Sequence, residues 1–110
     1  MPGEPSYRQP ALDALGEVVR GDFAAVSARF APALRRQASP QVLERSWQAY
    51  VREFGRYRAH GEPRQTGSAA GTVVRVPLRM EKGPGEFRVT YDGNGLLVGL
   101  YFLRAGVPVP

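Results

Sequence analysis

The chain has 110 residues, 43% hydrophobic and 23% charged, the make-up of one globular domain rather than of a disordered or fibrous chain. It has no cysteine and one histidine, His60, which excludes disulfides, thiolate metal sites, a cysteine nucleophile and any multi-histidine metal centre. The +5 net charge comes from 15 basic against 10 acidic residues, but the arginines are scattered among Glu and apolar residues. Net charge alone speaks to solubility and encounter rather than to a nucleic-acid function.

Residues 1–9, rich in proline and polar side chains, read as a disordered leader. Met1 to Ser6 carry an acid and two prolines where a secretory signal would place basic residues and an apolar stretch. No apolar run approaches the ~18 residues of a membrane helix. A cytoplasmic protein without membrane contact is the expectation.

From about Pro10 to Arg20, Leu12, Leu15, Val18 and Val19 recur at helical spacing. Gly21 suits a C-cap and Asp22 the N-cap of a second helix carrying Phe23, Val26 and Phe30, which Pro32 should end or kink. Ser39-Pro40 then opens a third helix with a capping side chain and a proline at its first position. Leu43, Trp47, Tyr50, Val51 and Phe54 form one apolar stripe on it, and Gly55 ends it.

Beyond Gly55 the period changes to two. Arg56 to Arg64 alternate weakly, and Pro63 marks an edge or strand end. After a turn at Gly67 to Gly71, the row Val74, Val76, Leu78 and Met80 faces inward, with Val73, Arg75, Pro77 and Arg79 outward. Gly83-Pro84-Gly85 reads as a hairpin turn. Phe87, Val89 and Tyr91 then face inward against Glu86, Arg88 and Thr90. Asp92-Gly93-Asn94-Gly95 is the strongest hairpin signal, since both Asp-Gly and Asn-Gly tolerate the positive φ of tight turns. The last strand is apolar on both faces, Leu96, Val98, Leu100 and Phe102 against Leu97, Gly99, Tyr101 and Leu103. Residues 105–110 form an extended tail, either a natural end or part of a linker. The expected architecture is a single α+β domain over residues 10–104, three N-terminal helices packed on a curved four-stranded antiparallel sheet.

Gly21-Asp22-Phe23 with Phe30, the helix Ser39-Pro40…Leu43…Trp47 ending in Phe54-Gly55, and the hairpin from Phe87 through Gly95 into Leu96-Leu97-Val98-Gly99-Leu100-Tyr101-Phe102 together resemble an uncharacterised bacterial family, domain of unknown function 3887. The resemblance spans about Leu12 to Arg104. It implies a cone-shaped fold like those of the nuclear-transport-factor-2-like and cystatin-like proteins, in which helices close on a bent sheet around a pocket. The family offers no agreed catalytic residues to carry over. Enzymes of the wider superfamily work with a His/Asp or Asp/Tyr pair in that pocket, whereas the inward positions here are Val, Leu, Met, Phe and Tyr.

Three readings of function follow from these residues. The first is a non-catalytic small-molecule-binding or accessory module that forms a homodimer through its sheet. Trp47, Tyr50, Tyr57, Phe87 and Tyr91 would supply an apolar pocket with polar tips for a small hydrophobic ligand. Val73, Arg75, Arg88, Leu97, Tyr101 and Leu103 would form the interface, apolar at its centre with a polar rim. The second is a small hydrolase or isomerase using His60 with Glu62, which share a strand face, or a pocket tyrosine. The third is an anion or nucleic-acid binder through Arg56, Arg58, Arg75, Arg79 and Arg88. Asp13, Glu17 and Asp22 lack metal-loop spacing and read as helix-surface acids and a cap. No metal and no cofactor are expected.

Overall fold

The computed structural model describes residues 5–109. In chain order the elements are α1 (Arg8–Val19), α2 (Phe23–Ser27), α3 (Pro32–Gln37), α4 (Pro40–Phe54), β1 (Tyr57–His60), β2 (Arg64–Ser68), β3 (Gly71–Met80), β4 (Gly83–Tyr91) and β5 (Leu97–Arg104). The α+β arrangement is the expected one, with the helices preceding an antiparallel sheet and packing on one of its faces, and it is consistent with a cone-like fold.

α1 buries Ala11, Ala14, Leu15 and Val18, one stripe at helical spacing. Asp22 caps α2 by accepting from the Ala25 N–H at 3.3 Å. The second helix stops at Ser27, short of Phe30, because the chain there turns to meet the sheet. The Ala31 N–H donates to the Leu97 carbonyl at 2.7 Å, and the Leu97 N–H to the Arg29 carbonyl at 2.9 Å. Pro32 therefore opens a further helix instead of closing one, at the first position where its missing N–H costs nothing. Among the described residues, four helices replace the expected three. α4 matches its reading closely. Ser39 accepts from the Val42 N–H at 3.2 Å, and Leu43, Trp47 and Tyr50 are buried. Gly55 ends the helix at φ +82°, a conformation that side chains with a Cβ adopt at a cost.

The strand order is β1-β3-β4-β5, with β2 also paired to β3. The expected first strand is thus two strands lying along one edge of β3, β1 against Leu78–Met80 and β2 against Gly71–Arg75. The break falls at residues 61–63, where Pro63 has no N–H to give to a ladder. The β3–β4 reversal sits at Glu81-Lys82, two residues before its predicted place, with Met80 opposite Gly83. The last hairpin is where the Asp-Gly and Asn-Gly pairs put it. The Asp92 carboxylate accepts from the Asn94 and Leu96 N–H groups at 2.8 and 3.0 Å.

The inner row is as read: Val74, Val76, Leu78, Met80, Phe87, Val89 and Tyr91 all lie in the core with α1, α2 and α4. The start of β5 departs from the predicted parity, with Leu97 in the core and Leu96 and Val98, expected on the inner side, half-buried outside it. The register jumps at Thr90/Tyr91, pairing Tyr91 with Leu97 but Thr90 with Gly99. This bulge at Val98 swings Leu97 inward, fully buried against Phe30. Leu97 therefore belongs to the core and not to the outer face assigned to it.

Both chain ends are tied to the sheet where described. The Tyr7 N–H donates to the Gln65 side-chain oxygen at 2.7 Å, and the Gln65 amide donates to the Pro5 carbonyl at 3.0 Å. Residues 5–9 therefore hold a defined place against β2, where a disordered leader was expected. Residues 1–4, also part of that leader, and residue 110 of the tail lie outside the described residues.

Candidate binding face

The outer face of the sheet carries the most unusual chemistry of the fold. The strand register places Arg75 beside Arg88 and Arg88 beside Tyr101, with Glu86 beside Leu103. Glu86 and Arg88 are only 6% and 5% exposed, though both point away from the core. Burying charge is tolerated only when it is paired and hydrogen-bonded, and here it is. Arg88 Nε donates to Glu86 Oε2 at 2.7 Å, and Arg75 Nη2 donates to Glu86 Oε1 at 3.1 Å. The two terminal nitrogens of Arg88 donate to backbone carbonyls of the tail, Nη1 to Pro108 at 3.0 Å and Nη2 to Val107. The tail, expected to be extended, thus lies across the sheet and covers the charged pair.

Beside this network lies a groove of about 470 Å³ between tail residues Val107, Pro108 and Val109 and the sheet residues Val73, Thr90, Tyr101 and Leu103. Tyr101 is 54% exposed, the most exposed large hydrophobic side chain among the described residues. Of the six residues predicted for this face, Val73, Arg75, Arg88, Tyr101 and Leu103 are on it, and Leu97 is not. The sequence predicts a polar rim of Arg and Glu on this face and gives no role to Glu86, Thr90, Val107 or Pro108 by themselves. The available signal was the outward parity of Glu86 between two arginines, in reach of an apolar Val-Pro-Val segment.

The aromatic set does not converge on one cavity. Trp47, Tyr50 and Phe87 meet around Phe102, with ring centroids 5.1, 5.8 and 5.9 Å from it, and fill the space between α4 and the sheet. The Tyr50 hydroxyl donates to the Leu103 carbonyl at 2.7 Å and accepts from the Glu86 N–H at 3.3 Å, so its polar tip is engaged by backbone. A shallow groove of about 370 Å³ between α4 and β5 touches only Tyr50 of the five. Tyr57 stands half-buried on β1. Tyr91 lies in a separate stack, parallel to Tyr7 at 4.5 Å.

Burial raises the Tyr91 phenol to about 12, with Asp13 adding to the rise and the Arg29 guanidinium opposing it. An unfolded tyrosine gives up its proton from about pH 10. Above that pH the unfolded chain binds fewer protons than the folded one, so stability should fall as pH rises from about 10 toward 12. Urea midpoints should decline over this window in the wild type and less steeply in Tyr91→Phe; equal slopes would contradict it.

His60 and Glu62 are both exposed, and the His60 Nδ1 lies 2.9 Å from the Gly61 carbonyl. Neither lines a groove described above, and the strand ends between them. The five arginines of the anion reading do not share a surface free for a ligand, since Arg88 is buried, Arg75 is held by Glu86 and Arg58 lies 3.9 Å from Glu81. Among the described residues, no group of three His, Asp or Glu side chains could hold a metal ion, and no helix is long and apolar enough to cross a membrane.

No curated protein and no solved structure matches the chain significantly. A family profile, described as a protein of unknown function (DUF3887), matches residues 12–100, from the first helix into the first half of β5. On that match the chain belongs to the DUF3887 family of proteins of unknown function.

Proposed function

We propose that this domain is a non-catalytic binding module that works through the outer face of its sheet, with a second copy of the chain as its first partner. The observation that carries this reading is the exposed Tyr101 ring beside Leu103, set over the buried Glu86–Arg88 pair. Interfaces are built around such a centre, an aromatic anchor flanked by arginine, and aromatic and arginine residues dominate their energetics. The opposite face is already filled by helices, which leaves this one for a partner.

The test is sedimentation velocity from micromolar to near-millimolar concentration. The wild type should shift from monomer to dimer, and Tyr101→Glu should weaken the dimer roughly tenfold or more while leaving the thermal midpoint nearly unchanged. A wild type that stays monomeric throughout would overturn self-association.

A further inference from the structure

Among the described residues, the charges under the tail do not balance. Two guanidiniums, Arg75 and Arg88, share the single carboxylate of Glu86. Arg75 bonds both of its oxygens, through Nε at 3.3 Å to each and Nη2 at 3.1 Å to Oε1. Arg88 reaches Glu86 only through Nε. Its outer edge, the Nη1/Nη2 pair, is directed at two neutral carbonyls, those of Pro108 and Val107. Arg75 is a third exposed and has water for its surplus charge, whereas the Arg88 side chain is 6% exposed.

A guanidinium edge with two parallel N–H donors matches the two oxygens of a carboxylate, and charge-assisted bonds of this kind are about twice as strong as bonds to neutral carbonyls. The groove beside that edge is mostly apolar, lined by Val73, Tyr101, Leu103, Ala69 and Ala70 with Thr90 and Ser68 as its polar side chains. We infer that this groove is a binding site for an apolar monocarboxylate, whose head group takes the Arg88 edge in place of the tail carbonyls and whose body lies against Val73, Tyr101 and Leu103. The inference rests on the outer face being the working surface. It makes the tail an internal competitor, a stand-in that presents two dipoles where the ligand presents a charge. Gly106, at φ +89° in the exposed turn between β5 and the seated segment, is the point at which the tail can lift.

Calorimetric titration of the full chain with sodium octanoate tests this, with 1-octanol as the same apolar body lacking the charge. Octanoate should bind saturably and about tenfold more tightly than octanol. Arg88→Lys keeps the charge but loses the two-pronged edge, and should weaken octanoate about tenfold. Val107→Gly loosens the tail and should tighten octanoate several-fold, which also decides the matter if Arg88→Lys does not fold. Equal affinity for octanoate and octanol overturns the site. So does an unchanged affinity in Arg88→Lys or in Val107→Gly, or the lack of saturable binding by both the wild type and Val107→Gly. Sedimentation of the same samples separates this from the reading beneath it. A monomer that prefers octanoate upholds the site and overturns self-association, whereas a dimer that binds octanoate no better than octanol does the reverse.

Discussion

Replacing Glu86 by alanine is expected to cost about 3–5 kcal/mol of folding stability, because it leaves the Arg88 guanidinium buried without an anionic partner. The burial, rather than the number of bonds, sets this magnitude. Arg75 makes three hydrogen bonds to the same carboxylate, yet its head group can return to water, so Arg75→Ala should cost under about 1 kcal/mol. Removing both buried charges together, as Glu86→Leu with Arg88→Met, should recover most of the loss, since well-packed apolar groups often replace buried ion pairs without penalty. Urea denaturation of the four proteins provides the comparison. A Glu86→Ala chain within about 1 kcal/mol of wild type would show that Arg88 finds solvent once its partner is gone.

Gly85→Ala should be a strongly damaging single-methyl change on β4. A Cβ at this position would lie 1.9 Å from the Tyr50 hydroxyl oxygen and 3.1 Å from Tyr50 Cζ. The ring of α4 thus stands directly on the β4 backbone, held by its bonds to Leu103 and Glu86. Forcing a methyl into this contact should cost about 1–3 kcal/mol, while Tyr50→Phe alone should cost about 1 kcal/mol for the lost hydrogen bond. The two changes should not add. With the hydroxyl gone the tightest clash goes too, so the double variant should be better than the sum by about 1 kcal/mol. A cycle that closes additively would mean that Tyr50 moves aside at no cost.

Wherever short-range chemistry decides the structure, the sequence was enough to read it. The α4 stripe with its Ser39-Pro40 start and Gly55 stop, the inward row of β3 and β4, and the Asp92–Gly95 hairpin all follow from periodicity, capping and turn preference, and each stands in the structure. What was not legible depends on contacts distant in sequence. Gly85 resembled a turn glycine because Gly83 and Pro84 precede it, and its actual role is to make room for a tyrosine 35 residues earlier. Alternation places Leu97 on the outer face, but one extra residue in β5 resets parity and Leu97 pairs with Phe30 instead. Pro32 can close one helix or open the next, and the strand contacts of Arg29 and Ala31 just before it decide which. The candidate site suffered most. An outward Glu86 between two arginines and an apolar Val-Pro-Val tail are each visible in the sequence, but that the one covers the other, and so buries Arg88, is a contact set by the folded sheet.

The interruption of the first edge at residues 61–63 bears on how this molecule can meet its neighbours. An uninterrupted edge strand beside β3 would offer a long row of free backbone donors and acceptors, on which a foreign strand could be added and growth could propagate from chain to chain. Here that row is split into pieces of four and five residues, with proline and glycine at the joint. An incoming strand gains too few backbone bonds on either piece to hold. Sheet extension is thereby discouraged on this side, and contacts between molecules are steered toward side chains.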